Sequence, residues 1–492
     1  MDSNSSEKNI PVSKVYQNNI DYLNRELGVP DNFDIILREM IIGSKKCAIY
    51  AVNGMVNTEV VSYTLDALIE LERADLIVNT LEKLVKSYII NLQVSEVKTM
   101  DKVLYFVLSG PIAIFVDGQD QAIIVDTRTY PARQPQEPDI ERVTRGSRDG
   151  FTETLVVNTA LIRRRLRDPK LRMKLVQVGS RSKTDVCIAY IEDVTNLDMV
   201  KKIHEDIQAI NIDGIPMAEK SVEEFILGSK FWNPYPRVRY TERPDVAAIH
   251  LLQGYVIIMV DTSPSVMIAP ATFWSHVQHA EEYRQEPSVG MYLRWVRFAG
   301  IFASIFLLPL WLAAALNPHL LPDWLQFIGP NDSAKIPLLL QIFLAEFGVD
   351  LLRMATIHTP SPLASALGLI AAFMFGEIAI KAGMFVPEVV VYIAVAAVGT
   401  FATPSYELGL ANRLARWFLV LLTGLFNFLG FWLGVAILFI LLWRTQSFGV
   451  PYLWPLVPLD AKALWSVLVR SPVPIKEQRP SILKPQDPDR QP

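Results

Sequence analysis

Three ionisable residues interrupt an otherwise apolar stretch of the chain. The stretch IPLLLQIFLAEFGVDLLRMATI covers residues 336–357, is long enough to cross a bilayer, and contains Glu346, Asp350 and Arg353. Spacings of four and three residues place these side chains on one helical face. Each charge would cost about 2.5–3.5 kcal/mol at the bilayer centre, so this face must meet water, protein or the membrane interface. The pattern allows an ion path, an internal salt bridge or an interfacial helix.

Two further groups of residues have spacings that allow chemistry. Glu377 and Lys381 form an i,i+4 pair near the end of the next apolar stretch and join the candidates for an ion path or intramembrane charge network. His276, His279 and Glu282 stand at helical spacing, which suits a metal site but is more typical of a polar helix face. No Walker loop, HExxH string or CxxC string is present. We expect no enzyme, no metal and no other cofactor.

A cluster of basic residues marks a predicted helix in the N-terminal part of the chain. Its first members are Arg163, Arg164, Arg165 and Arg167. Such a cluster is either a solvated face or a contact for acidic lipid headgroups or an acidic partner protein. Nucleic acid is not expected as a partner, because the net charge is −4 and no aromatic residues alternate with the arginines.

The elements that position these residues fall into two compositional regions. The chain has 492 residues, of which 51% are hydrophobic and 20% charged. Charged residues are frequent up to about Arg297, and apolar residues dominate from Phe298 to Trp443. A wholly soluble protein and a disulfide-stapled module, which needs more than two cysteines, are excluded. The polar N-terminus lacks a signal peptide, which predicts a cytoplasmic N-terminal region. The predicted spans are 298–316, 336–357, 363–380, 387–403 and 417–443, the last either single or broken, with a cytoplasmic loop at 404–416.

The charged region contains two echoes of one pattern. Gly110–Asp117 resembles Gly254–Asp261 at a distance of 144 positions, and Cys47–Tyr50 resembles Cys187–Tyr190 at a distance of 140. Both read as strands followed by turns, and the two cysteines read as buried core residues. The predicted fold class is therefore an α+β cytoplasmic region of two similar subdomains, followed by an all-α multi-span transmembrane domain.

These patterns predict the following division of the chain. A polar arm (1–29) precedes α+β subdomain 1 (30–140), a linker with the basic helix (141–174), α+β subdomain 2 (175–290), a transmembrane helical domain (291–470) and a Pro-rich disordered tail (471–492).

Several strings together resemble a known family. Gly146–Phe151 (GSRDGF), Asn158–Arg165 (NTALIRRR) and Pro404–Gly409 (PSYELG) are similar to the A subunits of spore germination receptors, the GerA family. The resemblance covers roughly residues 30–470. The string Leu352–Pro360 departs from that of the receptor subunits, and His276–Arg284 is more similar to a paralogous branch of the family.

The resemblance implies a place and a role. It implies an endospore-forming bacterium, the spore inner membrane and a function in germination. It also implies a homo-oligomeric cation channel or channel subunit, gated through its cytoplasmic domains, with the lipid bilayer and other spore membrane germination proteins as partners. A non-conducting scaffold or signal transducer that recruits such proteins stays open as the alternative.

Overall fold

The computed structural model of the chain describes residues 10–76, 80–130, 146–228, 232–330, 335–357, 368, 377–470, 472 and 478–490. The chain divides into two compact units. We call the first the α/β unit; it comprises Met1–Ser229, Val238–Pro270 and Val473–Pro492. We call the second the helical unit; it comprises Lys230–Arg237 and Ala271–Pro472.

The α/β unit contains two repeats with the same order of main elements. Repeat 1 consists of α1 (Tyr16–Leu27), β1 (Ile35–Ile42), β2 (Lys45–Val52), α2 (Thr58–Ile69), α3 (Thr80–Lys83), β3 (Val94–Val97), α4 (Met100–Leu108), β4 (Ile112–Val116) and β5 (Ala122–Val125). Repeat 2 consists of α5 (Leu155–Arg165), β6 (Leu171–Val178), β7 (Thr184–Ile191), α6 (Leu197–Gln208), α7 (Ala218–Leu227), β8 (Arg239–Thr241), α8 (Pro244–Leu252), β9 (Val256–Val260) and β10 (Val266–Ala269).

Each repeat folds around one five-stranded antiparallel sheet. The strand orders, β1-β2-β4-β5-β3 and β6-β7-β9-β10-β8, are the same, so the predicted internal repeat is present. The central strands are apolar throughout because both of their faces are covered. In β2, Ala48 and Tyr50 pack in one core with α1 and α4, whereas Cys47 and Ile49 pack in another with α2.

The structure corrects the register and the start of the second repeat. Helices α2 and α6 begin 139 positions apart, each capped by an asparagine side chain, Asn57 and Asn196. Strand pairing makes Cys187 equivalent to Ala48 rather than to Cys47, because Ala48 pairs with Phe115 and Cys187 with Met259. The basic helix, predicted as part of a linker, is α5 and occupies the place of α1. Repeat 2 therefore starts well before residue 175.

The helical unit begins with short helices α9 (Phe273–Val277) and α10 (Ala280–Arg284). Its main helices are α11 (Pro287–Phe302), which continues through a π-helical turn into α12 (Leu308–Leu316), then α13 (Leu338–Ile357), α14 (Ala379–Lys381), α15 (Pro387–Phe401), α16 (Tyr406–Arg444) and α17 (Ala461–Leu468). Within the described ranges, two helices are long and apolar enough to cross a membrane, Pro287–Leu316 and Tyr406–Arg444. Most of the span predicted at 363–380 lies outside the described residues.

Helix α16 folds back on itself at Asn427. A straight helix of 39 residues would be about 58 Å long. Asn427 instead has a φ of 54°, and a Cβ atom on Gly434 would lie 2.7 Å from the Leu419 side chain, which precedes the bend. The segment is therefore an antiparallel helical hairpin, and the broken alternative of the predicted span is the one observed. Arg413 and Arg416, predicted in a loop, lie in its first half.

The C-terminal tail is folded over residues 478–490, so the prediction of a disordered tail does not hold there. A short 3-10 helix covers Ser481–Leu483, and the Leu483 side chain is buried. Gln486 binds the main chain of repeat 2, which supplies the ordering contacts that the proline-rich composition does not reveal.

Candidate functional site

The predicted charged face of α13 meets two arginines of α16. The Glu346 carboxylate lies 3.0 Å from Arg416 Nη2 and 3.3 Å from Arg413 Nη2. Arg413 also reaches Asp350, with 2.8 Å between Nη1 and Oδ1. Two carboxylates and two guanidinium groups thus form one network, which we call the α13–α16 network.

This network also holds the neighbouring helices. Arg416 donates to the main-chain oxygen of Ser304 at 2.5 Å and to the hydroxyl of Thr400 at 3.4 Å. The Arg416 and Glu346 side chains are only 2% and 4% exposed. Breaking a buried ion pair of this kind leaves an uncompensated charge in the interior, which is strongly destabilising. These residues therefore hold the helices in their packed positions.

Some polar atoms of the network make no hydrogen bond with the residues that the structure describes. Glu346 Oε1 is buried and accepts no hydrogen bond among the residues that the structure describes. The crevice beside it, lined by Ile342, Phe343, Glu346, Arg416, Trp417 and Val420, is too narrow for a water molecule. Asp350, in contrast, is 34% exposed. Within one chain the Glu346 end is closed and the Asp350 end is open.

The other predicted charges lie around this network. Arg353, on the same face of α13, lies over the rings of Tyr406 and Phe401, at 4.8 and 5.9 Å from their centroids. Glu377 and Lys381 pair with each other at 2.5 Å, and both side chains are exposed. The structure therefore brings Glu346 and Asp350 together through arginines that sequence reasoning had placed in a loop. Arginines directly before a long apolar run were the available signal.

A second charge cluster was missed in the sequence. Glu282 is fully buried and pairs with Arg294 at 2.6 Å and with Arg297. Arg294 also donates to the main-chain oxygen of Val467 at 2.7 Å, which ties α11 to α17. Glu282, considered above as part of a histidine-containing set, thus serves ion pairs. Among the described residues, no group of three or more His, Cys, Asp and Glu side chains is arranged for a metal ion.

The basic helix α5 is largely an internal element. Arg163 is fully buried; its guanidinium group lies 2.9 Å from Asp34 and donates to the main-chain oxygens of Leu171 and Asp168. We call this pair and its contacts the repeat joint. The predicted lipid or partner contact is not open to Arg163, because no part of its side chain reaches the surface.

The remaining arginines of the basic cluster differ in exposure, and Arg167 lies just beyond the end of α5. Arg165 pairs with Asp149, and Arg164 lies over the Tyr130 ring at 4.6 Å from its centroid. Arg164 and Arg167 are exposed, so the surface contact stays a prediction for these two.

The GSRDGF string positions the end of α5. Asp149 and Ser147 both bind the Arg165 guanidinium group. The buried Arg243 donates to the main-chain oxygen of Ser147 at 3.1 Å, and the N–H of Phe151 donates to the main-chain oxygen of Glu242 at 2.8 Å. Through these contacts, residues 146–151 connect the end of α5 to the residues just before α8 within repeat 2.

A chain with an α/β unit built from two repeats and a helical unit that contains two helices long and apolar enough to cross a membrane is typical of a class of membrane-associated proteins. The profile of the GerA family, described as Bacillus/Clostridium GerA spore germination protein, matches residues 21–482. The chain belongs to this family.

Two relatives of known sequence agree with that assignment, and one crystal structure is similar to part of the chain. Stage V sporulation protein AF of Bacillus subtilis (strain 168) is 50% identical over 97% of this chain and 98% of its own length. Spore germination protein KA of the same organism is 30% identical over 99% of this chain and 90% of its own. The crystal structure of the N-terminal domain of the A subunit of the Bacillus megaterium spore germinant receptor GerK3 is 29% identical, covering 54% of this chain and 97% of that chain, with a TM-score of 0.42.

Proposed function

We propose that this germination protein is an oligomeric cation channel or channel subunit of the spore inner membrane, gated through its α/β unit. The role in germination follows from the family. The proposal assigns the chain no catalytic step and no cofactor, and its partners are the bilayer, further copies of itself and other spore membrane germination proteins.

The exposure of Asp350 carries the channel proposal. Its side chain is 34% exposed on a helix whose neighbouring surface residues, Phe347, Leu351 and Met354, are apolar. A carboxylate facing acyl chains is costly, so an intramembrane acid on such a surface faces water or protein. An oligomer in which this face of α13 points toward the central axis would surround Asp350 with water and protein. Asp350 would then line the proposed ion path.

The unsatisfied oxygen of Glu346 supports the same region. A buried carboxylate oxygen without a hydrogen bond is costly and is often tied to function. Arg413 binds both Glu346 and Asp350, so a cation or proton at Asp350 changes the charge balance felt by Glu346. The proposed path therefore runs past Asp350, with Glu346 as the sensing residue behind it.

The proposed topology is multi-pass with both ends on one side. The hairpin at Asn427 supplies two antiparallel segments, and α11–α12, α13 and α15 are further apolar helices. The chain leaves the α/β unit after Pro270 and returns to it with residues 478–490. An even number of crossings satisfies this path, with the α/β unit on the cytoplasmic side, the spore core.

Ion flux through proteoliposomes tests the proposal directly. Asp350→Asn removes the charge at the open end, and we expect altered cation flux and germination with unchanged protein level. Glu346→Gln is the second variant. Glu407→Gln, in the same helix as the arginines but bonded to Ser405, is the matched control. Wild-type flux in both Asp350→Asn and Glu346→Gln rejects the ion path.

The closed state of Glu346 favours the scaffold as a second candidate function. If the α13–α16 network only holds helices together, the exposed arginines of the basic cluster, Arg164 in α5 and Arg167 just after it, become the functional surface. Replacing Arg164 and Arg167 by serine should then abolish co-purification with other germination membrane proteins, while Asp350→Asn has no effect on it. Retained co-purification in the double variant rejects this candidate.

A further inference from the structure

The folded tail has a regular internal structure. Gln478 and Asp489 form a β-bridge, and Arg479 closes the turn by donating to the carboxylate of Asp487 at 2.7 Å. The N–H of Arg479 donates to the main-chain oxygen of Pro488 at 2.9 Å. We call residues 478–490 the strap.

The strap binds the main chain of repeat 2. The N–H of Gln486 donates to the oxygen of Val194 at 2.9 Å. The Gln486 side-chain amide donates to the oxygens of Glu192 and Thr195, both at 2.8 Å. Arg479 adds a bond to the oxygen of Leu252 at 2.9 Å. We call this surface, formed by Glu192–Thr195, Leu252 and Gly254, the repeat-2 slot.

Repeat 1 has the same slot, filled by its own chain. Met55 is equivalent to Val194, and its main-chain oxygen accepts a hydrogen bond from the N–H of Thr129 at 2.9 Å. Next to it, Val56 forms a β-bridge with Arg128. The residues that follow β5 therefore complete repeat 1.

Two equivalent glycines show how closely the segments correspond. A Cβ atom on Gly110 would lie 2.9 Å from Arg128 Cγ, and one on Gly254 would lie 3.7 Å from Pro485 Cβ. Both glycines have a positive φ, 107° and 92°. Pro485 and Gln486 thus occupy the places of Arg128 and Thr129.

Repeat 2 needs this substitute because its own following chain goes elsewhere. After β10, the N–H of Ala271 donates to Ser447 and the N–H of Phe273 to the oxygen of Tyr452. Both contacts lie within the helical unit. The carbonyl of Val194 would otherwise lack the main-chain donor that Met55 has.

We propose that the repeat-2 slot is a peptide-docking site whose occupant is the C-terminal strap of the same chain. The strap replaces the segment that repeat 2 gives up to the helical unit. Three hydrogen bonds from Gln486 and one from Arg479 hold the strap in the slot, and neither five-stranded sheet includes a strap residue, so the strap can leave and return without opening either sheet. The inference does not depend on ion conduction.

Hydrogen exchange of the full-length protein in detergent tests whether the slot is occupied. We expect slow exchange of strap amides in the wild type. Gln486→Glu keeps the side-chain shape but removes the two amide donors, so strap exchange should rise about four- to hundredfold, at roughly two- to tenfold for each hydrogen bond. Lys484→Ala, at an exposed position of the strap, is the matched control. Exchange of wild-type strap amides at the rate of an unstructured peptide overturns the proposal.

A peptide-binding experiment identifies the occupant. The full chain truncated before Gln478 should bind a labelled peptide of residues 478–490 saturably, and the untruncated chain should bind it at least tenfold more weakly. The Gln486→Glu peptide should lose four- to hundredfold in affinity. Equal binding to both chains, or no effect of Gln486→Glu, contradicts the assignment. Loss of strap protection on dilution to single chains shows that another copy supplies the strap, which also overturns it.

Discussion

In the repeat joint, Arg163 meets one carboxylate, that of Asp34, and directs its other donors to the main-chain oxygens of Leu171 and Asp168. In the α13–α16 network, two arginines share Glu346 and Asp350, and Glu346 Oε1 accepts no hydrogen bond among the described residues. The joint is saturated and sealed, whereas the network has spare capacity and an exposed end. Saturation is what a purely structural ion pair requires, so the network is the better place to seek function.

Loss of Arg416 should have the largest effect on stability. Arg416→Ala leaves the buried Glu346 with less compensation and deprives Ser304 and Thr400 of a donor. We expect a loss of about 3–5 kcal/mol in unfolding free energy, measured by thermal unfolding in detergent. Arg444→Ala, exposed at the end of the same helix, should change it by less than about 0.5 kcal/mol. Equal destabilisation by the two variants would show that the network is not structural.

Loss of Arg163 should have the second largest effect on stability. It should be smaller than that of Arg416 because water that enters the opened joint can solvate the carboxylate of Asp34. Arg163→Ala should cost about 3 kcal/mol in unfolding free energy, and the double variant Arg163→Met with Asp34→Leu should recover much of it. The equivalent double variant of the network, Arg416→Met with Glu346→Leu, should recover stability but not ion flux. Recovery of flux there would remove the distinction between the two sites.

Cys187 reports whether the joint opens. Burial raises the pKa of its thiol well above the ordinary value, Asp34 raises it further and Arg163 lowers it. Because the thiolate is the reacting species, alkylation of the folded protein at pH 8 should be slow. If Arg163→Ala opens the joint, reagent reaches Cys187 and its alkylation becomes faster. If the joint stays closed, alkylation becomes slower, because Asp34 still raises the pKa of the Cys187 thiol and Arg163 no longer lowers it. Cys47, whose thiol pKa burial raises to about 12, is the control and should stay unreactive.

Asp350→Asn should separate stability from function. Asp350 is partly exposed, and without it Arg413 still forms its ion pair with Glu346. The unfolding free energy should therefore fall by about 0–1 kcal/mol. Flux should change nonetheless, because the open end loses its charge. A loss of stability as large as that of Arg416→Ala would make Asp350 a structural residue as well, and the contrast with the joint would disappear.

The sequence predicted the repeat, the apolar helices and the acids of α13, but not their partners. Asp34 and Arg163 are far apart in the chain, so only the tertiary fold shows that a basic helix is internal. The similarity between Cys47–Tyr50 and Cys187–Tyr190 misplaced the register of the repeat by one position, because in a wholly apolar strand the sequence does not show which residues share a face. The helix-capping residues Asn57 and Asn196 would have given the correct offset of 139 positions. The strap escaped prediction because its ordering contacts are to a main-chain turn of repeat 2, which composition does not encode.

The smallest effect should come from Arg164, the exposed neighbour of Arg163. Its contact with the Tyr130 ring is worth about 0.5–1 kcal/mol at an exposed site, so Arg164→Ala should barely shift thermal unfolding. Arg164→Lys keeps the charge but not the planar group, and separates a charge-dependent surface role from ring stacking. If Arg164→Ala weakens co-purification with germination membrane proteins while Arg164→Lys restores it, adjacent residues of one helix divide the work: Arg163 inward for the fold, Arg164 outward for a partner. If neither variant changes co-purification, α5 serves only the joint, and the functional surface must be sought in the helical unit.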